Sequence, residues 1–455
     1  MLRWMILGVK QIKINVAEVT IGMFVSGLDR PWTQTPFPIQ GFYVHDIDQI
    51  KQLKTHCNHV YVDVTKGAAP ATANLASLDP KQKSRDSNHK VKQPSSSSLL
   101  PLKVNSTTYT KQESLEKEAR RARQLHQLVF GAVGKVMVQV GSGNVTSVHE
   151  TKRVAGSLGD SILRNPDAFT WLSRIRDTDE HTYGHAVRSA VWAILLGRHI
   201  GLAKSELDTL ALAVLLKDVG KTHIRRELLL DDDRTTQEQA EFEGFIDKSV
   251  EILKKISGVE PRVVAIVKTH CERINGSGFP RHLKGDNIPL LGKIAGIVTF
   301  YDEVANPRGL SNALAPSKAV SHLYEARGSE FQEDLVVEFI RAIGLYPTGT
   351  LVELTTGQVG IVIEQNLERR LKPKVLLLLN EFKQPLKKCK LLDLAKDDLT
   401  KQALVDSGKR RLDEVEKIEI AQDLEPGSYD IDINEIRDTY LSKTFKQKML
   451  SFFKL

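Results

Sequence analysis

The sequence predicts a multidomain, mainly α-helical chain, with a small α+β module before a helical bundle and a small β appendage after it. A chain of 455 residues is longer than the roughly 250 residues at which a single hydrophobic core stops growing. Apolar residues alternate with polar ones in the first 66 residues, which is typical of half-buried strands. They recur every third or fourth position from residue 151 to 343 and return to strand-like runs after residue 346.

Residues 10–66 are predicted to form the α+β module. Short strands are indicated by the alternation at residues 12–16 and 59–64, and a helix by the apolar spacing at residues 46–57. Residues 1–9 are interpreted as a first strand, or as residues upstream of the natural start, because no small-residue cleavage site of a signal peptide follows them.

Residues 67–108 are rich in Ala, Pro, Ser, Lys and Asn and lack apolar periodicity, so they are predicted to be a flexible linker. Residues 109–150 are predicted to be a connecting helix and lead-in. The helix has one apolar seam at spacings of three and four, formed by Leu115, Ala119, Ala122, Leu125 and Val129. The sequence leaves open whether this seam packs on the next domain or pairs with a second copy in a homodimer.

The helical domain is predicted over residues 151–345 and the β appendage over residues 346–380, where a Thr-Gly turn joins two strands. Residues 381–455 are predicted to be a charged C-terminal tail. Its basic, amphipathic end could touch a membrane, but packing on the bundle is favoured.

Composition limits the classes of function. The net charge of +8 allows anionic partners, but without an aromatic and basic motif it does not indicate binding to DNA or RNA. Three distant cysteines, Cys57, Cys271 and Cys389, form neither a disulfide framework nor a Cys-x-x-Cys metal site, which favours a reducing cytoplasm. No run approaches the roughly 20 apolar residues of a membrane span.

Three motifs between Asp179 and Arg308 carry the chemistry. The first is His181-Thr-Tyr-Gly-His185, the second is the octapeptide Leu-Leu-Lys-Asp-Val-Gly-Lys-Thr at residues 215–222, and the third is His-Cys-Glu-Arg-Ile-Asn-Gly-Ser-Gly-Phe-Pro at residues 270–280. In this order and spacing they resemble an HD-GYP domain, which implies an all-α, HD-type bundle. The family opens the bacterial cyclic dinucleotide c-di-GMP with the help of two or three metal ions.

The segment at residues 22–42 resembles the domain of unknown function that precedes many HD-GYP domains. Its aromatic residues, Trp32, Phe37 and Phe42, are interpreted as core packing rather than as a ligand pocket.

The resemblance places the family's metal ligands, in chain order, at His185, Lys217, Asp218, Phe245, His270, Cys271 and Thr299. Four of these seven positions, Lys217, Phe245, Cys271 and Thr299, lack the family's residue. A lysine ammonium has no lone pair and repels a dication, and a phenyl ring offers no donor atom. A cysteine could bind zinc only as the thiolate.

The resemblance leaves His185, Asp218, His270 and Cys271 as candidate metal ligands, so at most one ion (Fe, Mn or Zn) is expected, and no metal at all is the other reading. Asp218 and Lys221 are the candidate catalytic residues. The candidate ligand-binding residues are Arg188, Lys217, Lys221, Gly278, Phe279, Pro280 and Arg308, of which Lys221 and Arg308 stand at basic positions of the family pattern. In isolation, a Lys-Asp pair is usually a solvated ion pair and a Gly-x-Gly loop usually just a turn.

Two functions follow from the resemblance. The favoured one is a catalytically impaired member that senses c-di-GMP or a related cyclic dinucleotide, or recruits partners such as diguanylate cyclases. The alternative is a c-di-GMP phosphodiesterase that hydrolyses c-di-GMP to pGpG or GMP with a reduced metal set. An interaction scaffold without nucleotide binding is the third reading.

Overall fold

The computed structural model describes residues 11–29, 42–44, 47–63, 99–100, 102–144, 147–172, 181–231, 233–308, 313–366, 369–407 and 417–441. Its two compact units are Met1–Ser96 and Ser97–Leu455. The predicted fold class is confirmed, because a small strand-rich unit precedes a helical unit that carries its own sheet. Among the described residues, no helix has the length and apolar character needed to cross a membrane.

The first unit is an antiparallel sheet with one helix. Its elements are β1 (Gln11–Asn15), β2 (Phe24–Leu28), β3 (Phe42–Tyr43), α1 (Ile47–His56) and β4 (His59–Asp63). The strand order is β1-β4-β2-β3. Ile14, Val60, Val62 and Leu53 are buried, so the period-two and helical patterns of the sequence mark the core. The side chains of Trp32, Phe37 and Phe42, and residues 1–9, lie outside the described part.

The second unit begins with helices around a buried centre. They are α2 (Leu115–Gly141), α3 (His149–Arg164), α4 (Pro166–Leu172), α5 (His181–Ile200), α6 (Lys204–Leu216), α7 (Arg226–Leu230), α8 (Thr236–Glu243), α9 (Phe245–Lys255), α10 (Pro261–Thr269), α11 (Leu290–Ala305), α12 (Pro316–Glu325) and α13 (Glu333–Ile343). The helices α5, α6 and α11 are apolar on nearly every side and lie in the centre of the bundle.

The seam of α2 packs inside this unit. Leu115, Ala119, Ala122 and Val129 are buried where α2 meets α3, α4 and α5. The Ser114 hydroxyl accepts the Lys117 amide and caps the helix. Most of the predicted linker lies outside the described residues. Its end is attached to this unit, because Tyr109 donates its hydroxyl to Leu202 O and the Asn105 amide donates to Ile200 O.

The C-terminal sheet is larger than the sequence indicated. Its strands are β5 (Leu351–Leu354), β6 (Val359–Glu364), β7 (Lys374–Leu379), β8 (Pro385–Asp393) and β9 (Ile420–Asp423), in the order β8-β7-β6-β5-β9, with α14 (Leu394–Asp406) between β8 and β9 and α15 (Ile433–Leu441) after them. The charged tail predicted over residues 381–455 instead contributes β8, α14, β9 and α15. Lysines interrupt the apolar pattern of β8 because it is an edge strand with one solvated side. Residues 442–455 lie outside the described part.

Candidate active site

Three central helices bring the candidate site together. α5 carries His185, α6 ends immediately before Lys217 and Asp218, and α11 carries Asp302 in its last turn. All four side chains are 2% exposed or less. Buried charges are unfavourable unless they are paired and hydrogen-bonded, so their partners decide what the site can do.

Asp302 accepts hydrogen bonds on both carboxylate oxygens. The Nδ1 of His185 lies 2.8 Å from Oδ2, the Nε of Arg188 lies 2.9 Å from Oδ1, and Trp192 and Asn306 donate to Oδ1 at 3.3 and 3.1 Å. Burial acts to raise the pKa of Asp302, but Arg188 and His185 outweigh it and lower the pKa. Because Nδ1 of His185 carries the proton toward this carboxylate, its Nε2 keeps a free lone pair.

The Nζ of Lys217 donates a hydrogen bond to that lone pair. Its Nζ lies 2.7 Å from His185 Nε2 and also contacts Asp218 Oδ2, while the Nε2 to Oδ2 distance is 3.8 Å. Burial and the positive charge of Lys217 lower the pKa of His185. The imidazole is therefore neutral, and an ammonium occupies the point at which the histidine and the carboxylate converge.

A second lysine completes the neutralisation of Asp218. Lys221 Nζ lies 2.7 Å from Asp218 Oδ1 and 4.7 Å from the centre of the Phe245 ring. Burial acts to raise the pKa of Asp218, but Lys217 and Lys221 hold it well below its usual range. Burial acts to lower the pKa of Lys221, but the charge of Asp218 outweighs burial and the pKa is raised. Asp218 is thus a carboxylate held between two ammonium groups.

His270 and Cys271 are neutral in this pocket. The Nδ1 of His270 donates to Val267 O at 2.7 Å, and its buried Nε2 has no hydrogen-bond partner. Burial and then Lys217 lower the pKa of His270 to about 3. Burial raises the pKa of Cys271 to about 12, so its sulfur is a thiol at neutral pH. The Phe245 ring packs edge-on against His270, with ring centres 6.1 Å apart.

The glycine-rich loop is folded onto the end of α10. A Cβ on Gly278 would lie 2.4 Å from Arg273 N and from Cys271 O, so this position requires glycine. The buried Glu272 carboxylate accepts the amides of Arg281 and Leu283 at 2.8 and 2.9 Å. The loop keeps its turn although Phe279, followed by Pro280, stands where the family has a tyrosine. Phe279 is half-buried, and the centre of its ring lies 6.3 Å from that of the Phe245 ring.

Two arginines predicted to bind a ligand have different surroundings. The Nε of Arg188 is committed to Asp302, so Arg188 supports His185 from behind the pocket. Arg308 is half-buried and donates to the Thr182 hydroxyl at 3.0 Å. Burial lowers its pKa, and the charge of Asp218 acts to raise it, which places the guanidinium within electrostatic reach of the pocket.

The residues present do not fit the metal pair that the family pattern implies. Lys217 Nζ lies where a shared ion would contact His185 Nε2 and Asp218 Oδ2. Phe245 has no ligand atom, and Thr299 supplies only a neutral hydroxyl. In the described part of the chain, no three or more His, Cys, Asp or Glu side chains are grouped to hold a metal ion.

Sequence reasoning missed Asp302. The motif match assigned the ligand position to Thr299 and passed over the aspartate three residues later. The signal was available, because Asp302 lies on the same helical face as Thr299 within a mainly apolar helix. A buried carboxylate in such a helix needs a buried partner, which here is Arg188.

Two family models match the chain. Residues 11–151 match a Domain of unknown function (DUF3391), and residues 172–335 match an HD domain. A cyclic di-GMP phosphodiesterase of Pseudomonas aeruginosa is 27% identical over 370 residues, which cover 80% of this chain and 84% of that protein. The chain therefore carries an HD domain after a DUF3391 domain, and this domain order and this relative support the HD-GYP family.

Other relatives match a smaller share of this chain. A 3'3'-cGAMP-specific phosphodiesterase of Vibrio cholerae is 32% identical over 170 residues, 37% of this chain and 33% of that protein. A cyclic di-GMP phosphodiesterase response regulator of Xanthomonas campestris is 26% identical over 196 residues, 42% of this chain and 51% of that one. A solved HDG"Y"P protein from Bdellovibrio bacteriovorus aligns with a TM-score of 0.42 at 16% identity, covering 72% of this chain and 98% of that one.

Proposed function

We propose that this chain is a catalytically impaired HD-GYP protein of c-di-GMP signalling that binds a cyclic dinucleotide without hydrolysing it. The observation that carries the proposal is the Lys217 ammonium between His185 Nε2 and Asp218 Oδ2. An internal cation there balances Asp218, so the pocket is stable without metal.

Hydrolysis of a phosphodiester needs an activated water, and the residues retained at family ligand positions, His185, His270 and Asp218, are poorly suited to generate it. In a metal-dependent hydrolase, the ions lower the pKa of a bound water until it is hydroxide. Here the lone pair of His185 is bonded to Lys217. With a pKa of about 3, His270 is too weak a base to take a proton at neutral pH. Asp218 is held by two lysines and is equally weak.

Binding of a phosphate is supported by the charge balance. Among the described residues around the pocket, the cations Lys217, Lys221 and Arg308 face the carboxylates Asp218 and Glu303, and Arg234 adds a further positive charge near Arg308. Positive charge is therefore in excess, and an anionic ligand would balance it. The half-buried Phe279 ring offers a face for a guanine base. Relatives named as phosphodiesterases of c-di-GMP or 3'3'-cGAMP support a cyclic dinucleotide as the ligand class.

The test combines turnover and binding. Protein purified without chelator is incubated with c-di-GMP and Mn²⁺ or Fe²⁺, the products are separated by chromatography, and binding is measured by calorimetry. We expect no pGpG or GMP, fewer than two metal ions per chain, and binding weakened about tenfold by Lys221→Ala, which corresponds to the loss of one charged contact. The exposed Lys254→Ala serves as the matched control.

The alternative function is a phosphodiesterase with a reduced metal set, favoured by the retained His185, Asp218 and His270. Turnover that is abolished by Asp218→Ala, or two or more ions per chain, would overturn the proposal in favour of this enzyme. If neither turnover nor binding is measured, the pocket is vestigial and the chain acts as a scaffold that recruits signalling proteins such as diguanylate cyclases.

A further inference from the structure

A cavity lies behind the candidate site, on the side of Asp302 away from Lys217. Its volume is about 280 Å³. It is lined by α5, α11, the residues before α12 and the segment that joins β9 to α15. A dry apolar cavity of roughly 150 Å³ accepts a benzene molecule, so this volume accommodates one or two aromatic rings.

The larger part of the cavity wall is apolar or aromatic, and Asn306 and Asn434 add polar groups to it. Trp192 and Tyr301 meet edge to face with ring centres 5.6 Å apart. Small side chains on α11 and before α12, Ala305 and Ala313, leave the space open. Among the described residues that line it there is no Lys, Arg or His, and Asp432 is the one charged group. Such walls disfavour phosphates and carboxylates and favour a neutral aromatic molecule.

The outer wall is the C-terminal strap, which we define as residues 424–432. The strap is fixed at both ends, because Asp423 accepts the amide and hydroxyl of Ser317, and Arg123 pairs with Asp438 at 2.8 Å. Between these anchors, Tyr429 and Asp430 have φ values of 59° and 55°. Left-handed backbone at non-glycine residues is unfavourable and often occurs at ligand-binding segments.

Two residues that line the cavity also donate hydrogen bonds to Asp302, the carboxylate that holds His185. Trp192 Nε1 and Asn306 Nδ2 both donate to Asp302 Oδ1. The other oxygen of Asp302 holds Nδ1 of His185, whose Nε2 contacts Lys217. A molecule that displaces Trp192 or Asn306 therefore changes the hydrogen bonding of His185, three contacts away.

We propose that this cavity, enclosed by the C-terminal strap, binds a small neutral aromatic molecule of one or two rings, and that the bound molecule acts on His185 through Trp192, Asn306 and Asp302. The site is distinct from the nucleotide pocket and takes ligands of the opposite character, uncharged and apolar. Neither part of the proposal requires nucleotide binding, so it stands or fails independently of the proposed function.

The first experiment tests binding with 5-fluoroindole as the probe, followed by ¹⁹F NMR. We expect saturable binding of one molecule per chain. Ala305→Leu and Ala313→Leu each fill part of the cavity from a different element, and each is expected to weaken binding about tenfold, or by roughly 1.4 kcal/mol. The control is Ala403→Leu, the same change at an exposed position on α14.

A folded filling variant that binds the probe as tightly as the control overturns the site, as does binding of several molecules per chain without saturation. Circular dichroism melting of each variant shows that it is folded. Because Ala305 and Ala313 lie on different elements, one folded variant is sufficient for the comparison.

The second experiment tests the coupling to His185. In protein labelled with ¹⁵N-histidine, the imidazole resonances of His185 are assigned through His185→Gln. Saturating 5-fluoroindole is expected to shift them. Trp192→Phe keeps an aromatic wall but removes the N–H that donates to Asp302, so binding is retained and the shift is reduced. An unmoved His185 resonance in the wild type overturns the coupling, and an undiminished shift in Trp192→Phe overturns the route through Trp192.

Discussion

Two buried carboxylates lie on either side of His185, and their partners differ in kind. Asp302 is bonded by Arg188, His185, Trp192 and Asn306, which donate from fixed planar groups. Asp218 is instead balanced by two lysine ammonium groups on flexible stems. Planar donors fix geometry, whereas an ammonium acts as a point charge, much as an ion does. The first region therefore fixes the orientation of His185, and the second places positive charge where the family pattern has metal ligands.

The largest effect is expected from Arg188→Met, because it leaves the Asp302 carboxylate without its buried cation. Breaking one side of a buried ion pair lowers the free energy of unfolding by roughly 3–5 kcal/mol. Urea unfolding measures the change, with the exposed Arg153→Met on α3 as the control. A loss of unfolding free energy below about 1 kcal/mol would show that the buried Arg188–Asp302 ion pair does not stabilise the fold.

The pH dependence of stability should reveal the neutral histidines. The pKa of His270 is lowered to about 3 by burial and Lys217. The contribution of neutral His270 to the free energy of unfolding is complete above its unfolded-state pKa of about 6.5. That contribution is lost as the pH falls toward the folded-state pKa. His185 also has a lowered pKa, so it adds a slope of the same sign.

Between pH 6 and 4, we expect His270→Gln to remove up to about 1.4 kcal/mol per pH unit from the slope of unfolding free energy against pH. Urea unfolding at several pH values gives the slope. The control is His199→Gln, at a half-buried histidine that pairs with Glu338 far from the pocket. An unchanged slope in His270→Gln would mean that His270 is protonated in the folded protein near pH 5.

Lys217→Met tests the internal cation. Because Lys221 still faces Asp218, a loss of about 1–3 kcal/mol in unfolding free energy is expected, less than for Arg188→Met. Adding both Asp218→Leu and Lys221→Met removes the remaining buried ion pair and should recover part of that loss, since buried ion pairs can be replaced by apolar residues of similar volume. A triple variant less stable than Lys217→Met alone would show that the stability of the pocket does not depend on balancing these charges.

The smallest effect is expected at Ser249, which fixes the turn that carries Lys217 and Asp218. Its hydroxyl donates to Lys217 O at 3.0 Å and accepts the Gly220 amide at 2.8 Å. Ser249→Ala should lower the unfolding free energy by about 1–3 kcal/mol, toward the lower end because the turn can relax. The control is Ser157→Ala, whose exposed hydroxyl donates to Arg153 O. Equal losses in both variants would exclude a special role for Ser249.

The sequence predicted the mainly helical fold class and the residues brought together around Lys217, because periodicity and motif spacing are local properties of the chain. It did not predict that β8 and β9 join the C-terminal sheet. Edge strands keep a solvated side, so their sequences resemble a charged tail until their pairing partners are known.

The sequence, compared with the family pattern that it resembles, predicted an incomplete metal set, since a lysine ammonium and a phenyl ring supply no lone pair at Lys217 and Phe245. Only the tertiary structure placed the Lys217 ammonium between His185 and Asp218, and only it revealed Asp302 as the carboxylate that orients His185. The two contacts of His185, with Lys217 and with Asp302, join residues 32 and 117 positions apart. Pairing over such separations depends on how the helices pack, which a local sequence pattern does not encode.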